Sequence, residues 1–169
     1  MFELLQKISA LPFWSKFADF HGLLAMISLI FFGAAIILYF LTPKTAVAIS
    51  WLKIVLTGLF LDLVLLDIAG LSVYVPYRAA NGAKTILISS KDTAWLHNII
   101  FEHKEFLAFA PPILIFVCLM IVQKSGSNFG NDEKLLWLRK SAISSLLLAL
   151  VFVLIIAAEA VLVTKAAPI

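Results

Sequence analysis

Apolar residues dominate this chain in four long runs, with polar residues confined to the gaps between them and to a few positions inside. The runs cover about residues 20–41, 51–75, 94–122 and 140–164. Each is about as long as the roughly 20 residues a helix needs to cross a hydrocarbon core of about 30 Å. The third begins as a polar helical lead-in, "WLHNIIFEHKEF", before its apolar stretch. Short connections between four such helices favour an up-down-up-down bundle with antiparallel neighbours. The pattern therefore predicts an all-α integral membrane protein, a four-transmembrane-helix bundle forming one domain over residues 1–169.

Proline punctuates the pattern. Pro43 and Pro76 are expected to close the first and second helices, and Pro111-Pro112 to kink the third, because proline cannot continue the hydrogen-bond ladder. At the N-terminus Phe2, Leu5, Ile8 and Leu11 recur at helical spacing with Trp14 nearby, which predicts a short interfacial helix. The same segment lacks the basic start and compact apolar core of a secretory signal. Trp14, Trp51, Trp95 and Trp137 fall near helix ends and read as interface anchors.

Composition agrees with the pattern: 63% of residues are hydrophobic and mean hydropathy is +1.06, too apolar for a soluble domain of this size. The net charge of +3 gives no sign of a nucleic-acid partner. Cys118 is the single cysteine, which leaves no disulfide framework. Basic residues do not orient the chain by number. Lys7, Lys16, Arg78, Lys84, Lys91 and Lys165 fall on the side of the termini, against Lys44, Lys53, Lys124, Lys134, Arg139 and Lys140 opposite. The second group is denser near the helices, favouring its placement in the cytoplasm of an inner-membrane protein with both termini outside.

Charged residues inside spans mark function or helix contacts. Counted from helix centres, His21, Asp67, His103 and Glu159 all fall toward one end of the bundle, one from each helix. Asp62 lies near the midplane, and His97 roughly 9 Å outside His103 at helical rise. Three readings follow. In the first, His21 and His103, on diagonal helices, ligate a b-type haem. Gly22 and Gly70 would let the ring approach, Phe20, Phe101, Phe106 and Phe109 would line it, and Tyr77, Arg78, Lys84 and Lys91 would meet the propionates. In the second, His21 and His103, or His97, with Asp67, Glu102 and Glu159, hold iron, zinc or copper. In the third, the acids pair with Lys104, tyrosines or hydroxyls and only fix packing. His97 reads as a solvated or interfacial residue, Glu102 and Glu105 as water-facing, and Lys104 as a snorkelling side chain.

The residues "FHGLL" around His21, "DIAGLSVYVPYR" around Gly70, "LHNIIFEH" with His97 or His103, and "AAEAVLV" around Glu159 carry a resemblance. The chain resembles small four-helix bacterial membrane proteins of the b-type cytochrome kind. It lacks the second histidine and proline that accompany the first-helix histidine in that group. The resemblance implies haem- or quinone-linked electron transfer within a larger complex of membrane subunits. The expectation is a non-catalytic or electron-transfer subunit holding haem b, surrounded by lipid and other subunits. The alternatives are a cofactor-free scaffold and a membrane metal-site protein.

Overall fold

The structure, a computed structural model, describes residues 13–130 and 132–167. The expected interfacial helix at Phe2–Leu11 lies outside them, while Trp14 belongs to the first long helix. That helix, α1, runs Phe13–Leu41 and begins about two turns before the expected start. It is followed by α2, Ala46–Tyr77. The third span is built in pieces: a π-helical turn Leu96–Phe101, α4 Glu102–Ala108 and α5 Ala110–Ser125. A short helix α3, Ala83–Ile88, precedes it within the second connection, and α6, Leu136–Ala166, forms the fourth span. All four spans are long and apolar enough to cross a membrane, so the chain is a multi-pass membrane protein with an all-α, four-helix architecture.

Local chemistry explains the ends. Pro43 follows the end of α1, and the Thr45 hydroxyl caps α2 by accepting from the Val47 N–H at 3.3 Å. Pro76 does not stop α2 before itself; the helix includes it and ends one residue later, at Tyr77. The chain then turns through Gly82, where a Cβ would collide with the carbonyl oxygens of Pro76 and Tyr77. In the third span the break falls just before the prolines, at Phe109, where the Phe109 N–H turns to the Leu107 carbonyl. Pro111 and Pro112 thereby occupy the first turn of α5, where a missing N–H costs least.

Helical periodicity builds the core. Leu52, Leu56, Leu59 and Leu63 of α2 meet Phe32 and Ala35 of α1, Ile115 and Val122 of α5, and Ala142, Leu146 and Ala149 of α6. The first span packs mainly on the second and the third mainly on the fourth. The second also meets the third, and the first the fourth, so the first and third spans are diagonal. At the end opposite the histidines, the Tyr39 hydroxyl donates to the Arg139 carbonyl at 2.9 Å, tying α1 to the start of α6.

Only 28% of each apolar window is buried inside the bundle. Met26, Ile30, Ile37, Leu61, Ile113 and many other large apolar side chains face outward. An apolar exterior of this extent is a lipid-facing surface. Trp51, Trp95 and Trp137 are exposed near their helix ends, as interface anchors require.

Candidate functional site

The polar end of the bundle holds a cavity of about 760 Å³ that opens to the surface. That lies within the roughly 300–1,000 Å³ of small-molecule and cofactor sites. All four spans contribute to its wall. His21 and Gly22 come from α1, Asp67, Gly70, Tyr74 and Tyr77 from α2, Lys104 and Glu105 from α4, and Ala157, Ala160 and Thr164 from α6. Most of the lining is apolar, with a few polar groups converging on it.

His21 is fixed on two sides. Its Nδ1 lies 3.1 Å from the Leu66 carbonyl oxygen, so Nδ1–H donates and Nε2 keeps its lone pair. The ring rests on Gly70, where an added Cβ would stand 3.2 Å from Cε1. Among the described residues Nε2 has no hydrogen-bond partner. A histidine tied through one nitrogen to a backbone carbonyl and open at the other is the arrangement metal-ligating imidazoles adopt. Gly22, in contrast, borders open space: a Cβ there would touch nothing within 4 Å.

His103 does not line this cavity. Its side chain is 56% exposed, and its Nδ1 lies 2.7 Å from Glu159 Oε1. The two histidines expected to face each other across a ring therefore point to different surroundings at the same end of the bundle. Asp67 reaches the cavity with His21, whereas Glu159 is engaged by His103 and its buried Oε2 has no partner among the described residues. Asp62 is buried near the middle of α2, outside the cavity, and its Oδ2 likewise has no partner among the described residues.

Three expectations need correction. His97 is not solvated: it is buried, 3% exposed, and its Nδ1 meets the Tyr77 hydroxyl at 2.9 Å. The π-helical turn places it there by directing Leu96, His97 and Phe101 together into a cluster with Tyr77 and Leu87. Glu105 does not simply face water, since it lines the cavity; so does Lys104, expected to snorkel, with its Nζ 4.9 Å from the Phe101 ring centre. The alternative metal set of His97, Glu102, Asp67 and Glu159 is not assembled. Among the described residues no three His, Cys, Asp or Glu side chains stand close enough to hold an ion.

One wall of the cavity is an aromatic shelf that sequence reasoning only partly found. Tyr77 and Phe101 stack at 3.9 Å and 5°, Tyr74 lies 6.0 Å from Phe101, and Arg78 covers the Tyr74 ring at 4.4 Å. Phe106 and Phe109 also line the cavity, as expected, but Phe20 does not. Arg78, Lys84 and Lys91 do not reach it; the cation that does is Lys104. The i,i+3 pair Tyr74–Tyr77 and the i,i+4 pair His97–Phe101 were the signal available for this shelf. No protein-family model, curated protein or solved structure matches this chain.

Proposed function

We propose that the protein is an integral membrane subunit of an electron-transfer complex, holding a b-type haem in the cavity at the polar end with His21 as its protein ligand. The carrying observation is the His21 ring, held by the Leu66 carbonyl and Gly70, with Nε2 unpartnered at a cavity of about 760 Å³. These residues fit haem on one face. Phe106 and Phe109, both exposed and lining the cavity, supply aromatic surface, and Lys104 supplies a cation for a propionate. Bound there, haem would supply one-electron transfer. His103 does not line the cavity and so offers no second ligand there, which favours a single-histidine site over the two-histidine site expected from the sequence.

The protein's own residues would orient the ring and exclude water from it. His21 Nδ1–H holds the imidazole to one tautomer, and the apolar lining from α2 and α6 would shield the ring on that side. No catalytic residue is assigned. Placement in an inner membrane with the termini outside, and assembly with other membrane subunits, complete this reading.

Absorbance of the purified protein tests it. Wild type should show a Soret band of single-histidine, high-spin type. His21→Ala should abolish it and His103→Ala should leave it. Loss with both substitutions would reinstate the two-histidine arrangement. A preparation that neither carries haem nor takes it up on reconstitution would end the haem reading and leave a scaffold.

A further inference from the structure

The two ends of the bundle differ in net charge although their basic residues balance. The end formed by the first and third connections carries Lys44, Lys53, Lys124, Lys134, Arg139 and Lys140 against two acids, Asp132 and Glu133. At the cavity end the six described basic residues are matched by Asp19, Asp67, Asp92, Glu102, Glu105 and Glu159. The surplus of positive charge therefore sits entirely at the far end, and the chain does not neutralise it there. None of those six cations makes an ion pair with a described residue. Asp132 Oδ1 instead accepts from the Lys134 backbone N–H at 2.9 Å, capping the turn at Glu133–Leu135. Arg139 Nε is buried without a partner among the described residues.

Packing of the connections draws these cations onto one surface. The Tyr39–Arg139 bond holds the end of α1 to the start of α6. Gly130 of the third connection lies against the Thr42 carbonyl of the first, so closely that a Cβ would collide with it. Lys44 follows Thr42 by two residues, Lys124 lies in the last turn of α5, and Lys53 lies in the second turn of α2. Lys44, Lys124, Lys134 and Lys140 are exposed, and Lys53 and Arg139 are half-buried. Large apolar side chains alternate with them along the chain. Trp51 stands two residues before Lys53 and Trp137 two before Arg139; both are exposed, as are Ile54, Leu136 and Leu138. A surface that mixes unpaired cations with exposed indoles and aliphatics suits a molecule that is both anionic and apolar.

We propose that this end of the bundle is a binding surface for the head groups of anionic phospholipids. The Arg139 guanidinium takes phosphate oxygens at the junction of α1 and α6, where its planar fork matches their geometry. The exposed lysines hold further head groups around the rim, and the acyl chains lie along Trp51, Trp137 and the aliphatic residues beside them. The surface is at the opposite end from the cavity and needs no haem.

Quenching of tryptophan fluorescence by brominated lipid tests this surface. Full-length protein carrying Trp14→Phe and Trp95→Phe reports the basic end through Trp51 and Trp137; Trp51→Phe with Trp137→Phe reports the cavity end. Each is placed in nanodiscs of phosphatidylcholine with a minor share of brominated phosphatidylglycerol or brominated phosphatidylcholine, and referenced to unbrominated lipid. The basic-end reporter should favour the glycerol lipid by about tenfold and the cavity-end reporter should show no preference. Arg139→Gln should cut the preference about fivefold, the worth of one cation at an anionic surface. Because Arg139 is half-buried, Lys134→Gln with Lys140→Gln on the exposed rim is the second variant and should do at least as much. Equal quenching by the two lipids at the basic end, or a preference untouched by both variants, would overturn the proposal. At matched ionic strength, displacement of the lipid by inorganic phosphate would assign the surface to a soluble anion. Displacement by polyglutamate would assign it to an acidic protein segment, and either result would overturn the lipid assignment.

Discussion

His21 and Gly70 interlock: the imidazole of one helix occupies the space a side chain would take on the next, with its Cε1 3.2 Å from a Cβ built at position 70. That separation is too tight for an alanine unless the ring moves. Moving it stretches the 3.1 Å bond from Nδ1 to the Leu66 carbonyl, one turn before Gly70. Gly70→Ala should therefore leave the bundle folded but lower haem retention, read as Soret absorbance per protein. Gly33→Ala, at an exposed position with nothing within 4 Å, is the control and should change neither. Unchanged haem content in Gly70→Ala would separate this glycine from the site.

Asp62 makes the opposite prediction. Its carboxyl is buried in the bundle and Oδ2 has no partner among the described residues, a penalty of about 1–3 kcal/mol for an unsatisfied buried group. Asp62→Leu should raise the thermal unfolding midpoint of the detergent-solubilised protein. A lower midpoint would mean that the carboxyl is holding a neighbour in place.

The Tyr77–His97 hydrogen bond is internal to the second apolar cluster. Tyr77→Phe keeps the stack on Phe101 but strands His97 Nδ1, and should destabilise by about 1–3 kcal/mol. Adding His97→Leu removes both polar partners at once, so the double variant should recover part of that loss. Chemical denaturation of the single and double variants gives the coupling directly; strict additivity would mean that the bond contributes nothing.

Topology has a direct test. Ser127 and Asn81 are exposed in connections at opposite ends of the bundle. Cysteines introduced at each, one at a time, should react with a membrane-impermeant thiol reagent from opposite sides of sealed vesicles. Buried Cys118 should stay silent. Labelling of both from one side would contradict four spans.

The architecture was legible because it rests on length and apolarity. Runs such as Leu52–Leu56–Leu59–Leu63 announce both a helix and its buried face. Convergence on one end was also readable, since depth follows from counting residues at a fixed rise. Azimuth was not. Matching the depths of His21 and His103 could not reveal that one faces the cavity and the other the outside of the bundle, because rotation about each helix depends on packing against its neighbours. His97 differs for a related reason: an isolated histidine at a helix end is expected to be solvated or interfacial, whereas the π-helical turn buries it against Tyr77. The Leu66 carbonyl, a backbone atom, leaves no mark in a sequence at all.

The π-helical turn at Leu96–Phe101 has a consequence for the chain's tolerance of length change. Such a turn behaves as an α-helix carrying one surplus residue. Each α-helical residue advances the chain by about 100° around its axis. The wider turn takes up that surplus locally, so the segments on either side keep the phase of a continuous helix. Deleting Asn98 would let the turn close as an α-helix and leave Trp95 facing outward. A residue removed elsewhere along the span, with no such turn to take up the change, would rotate everything beyond it by about 100°. The threshold is thus the stretch of this span where a change of length costs least.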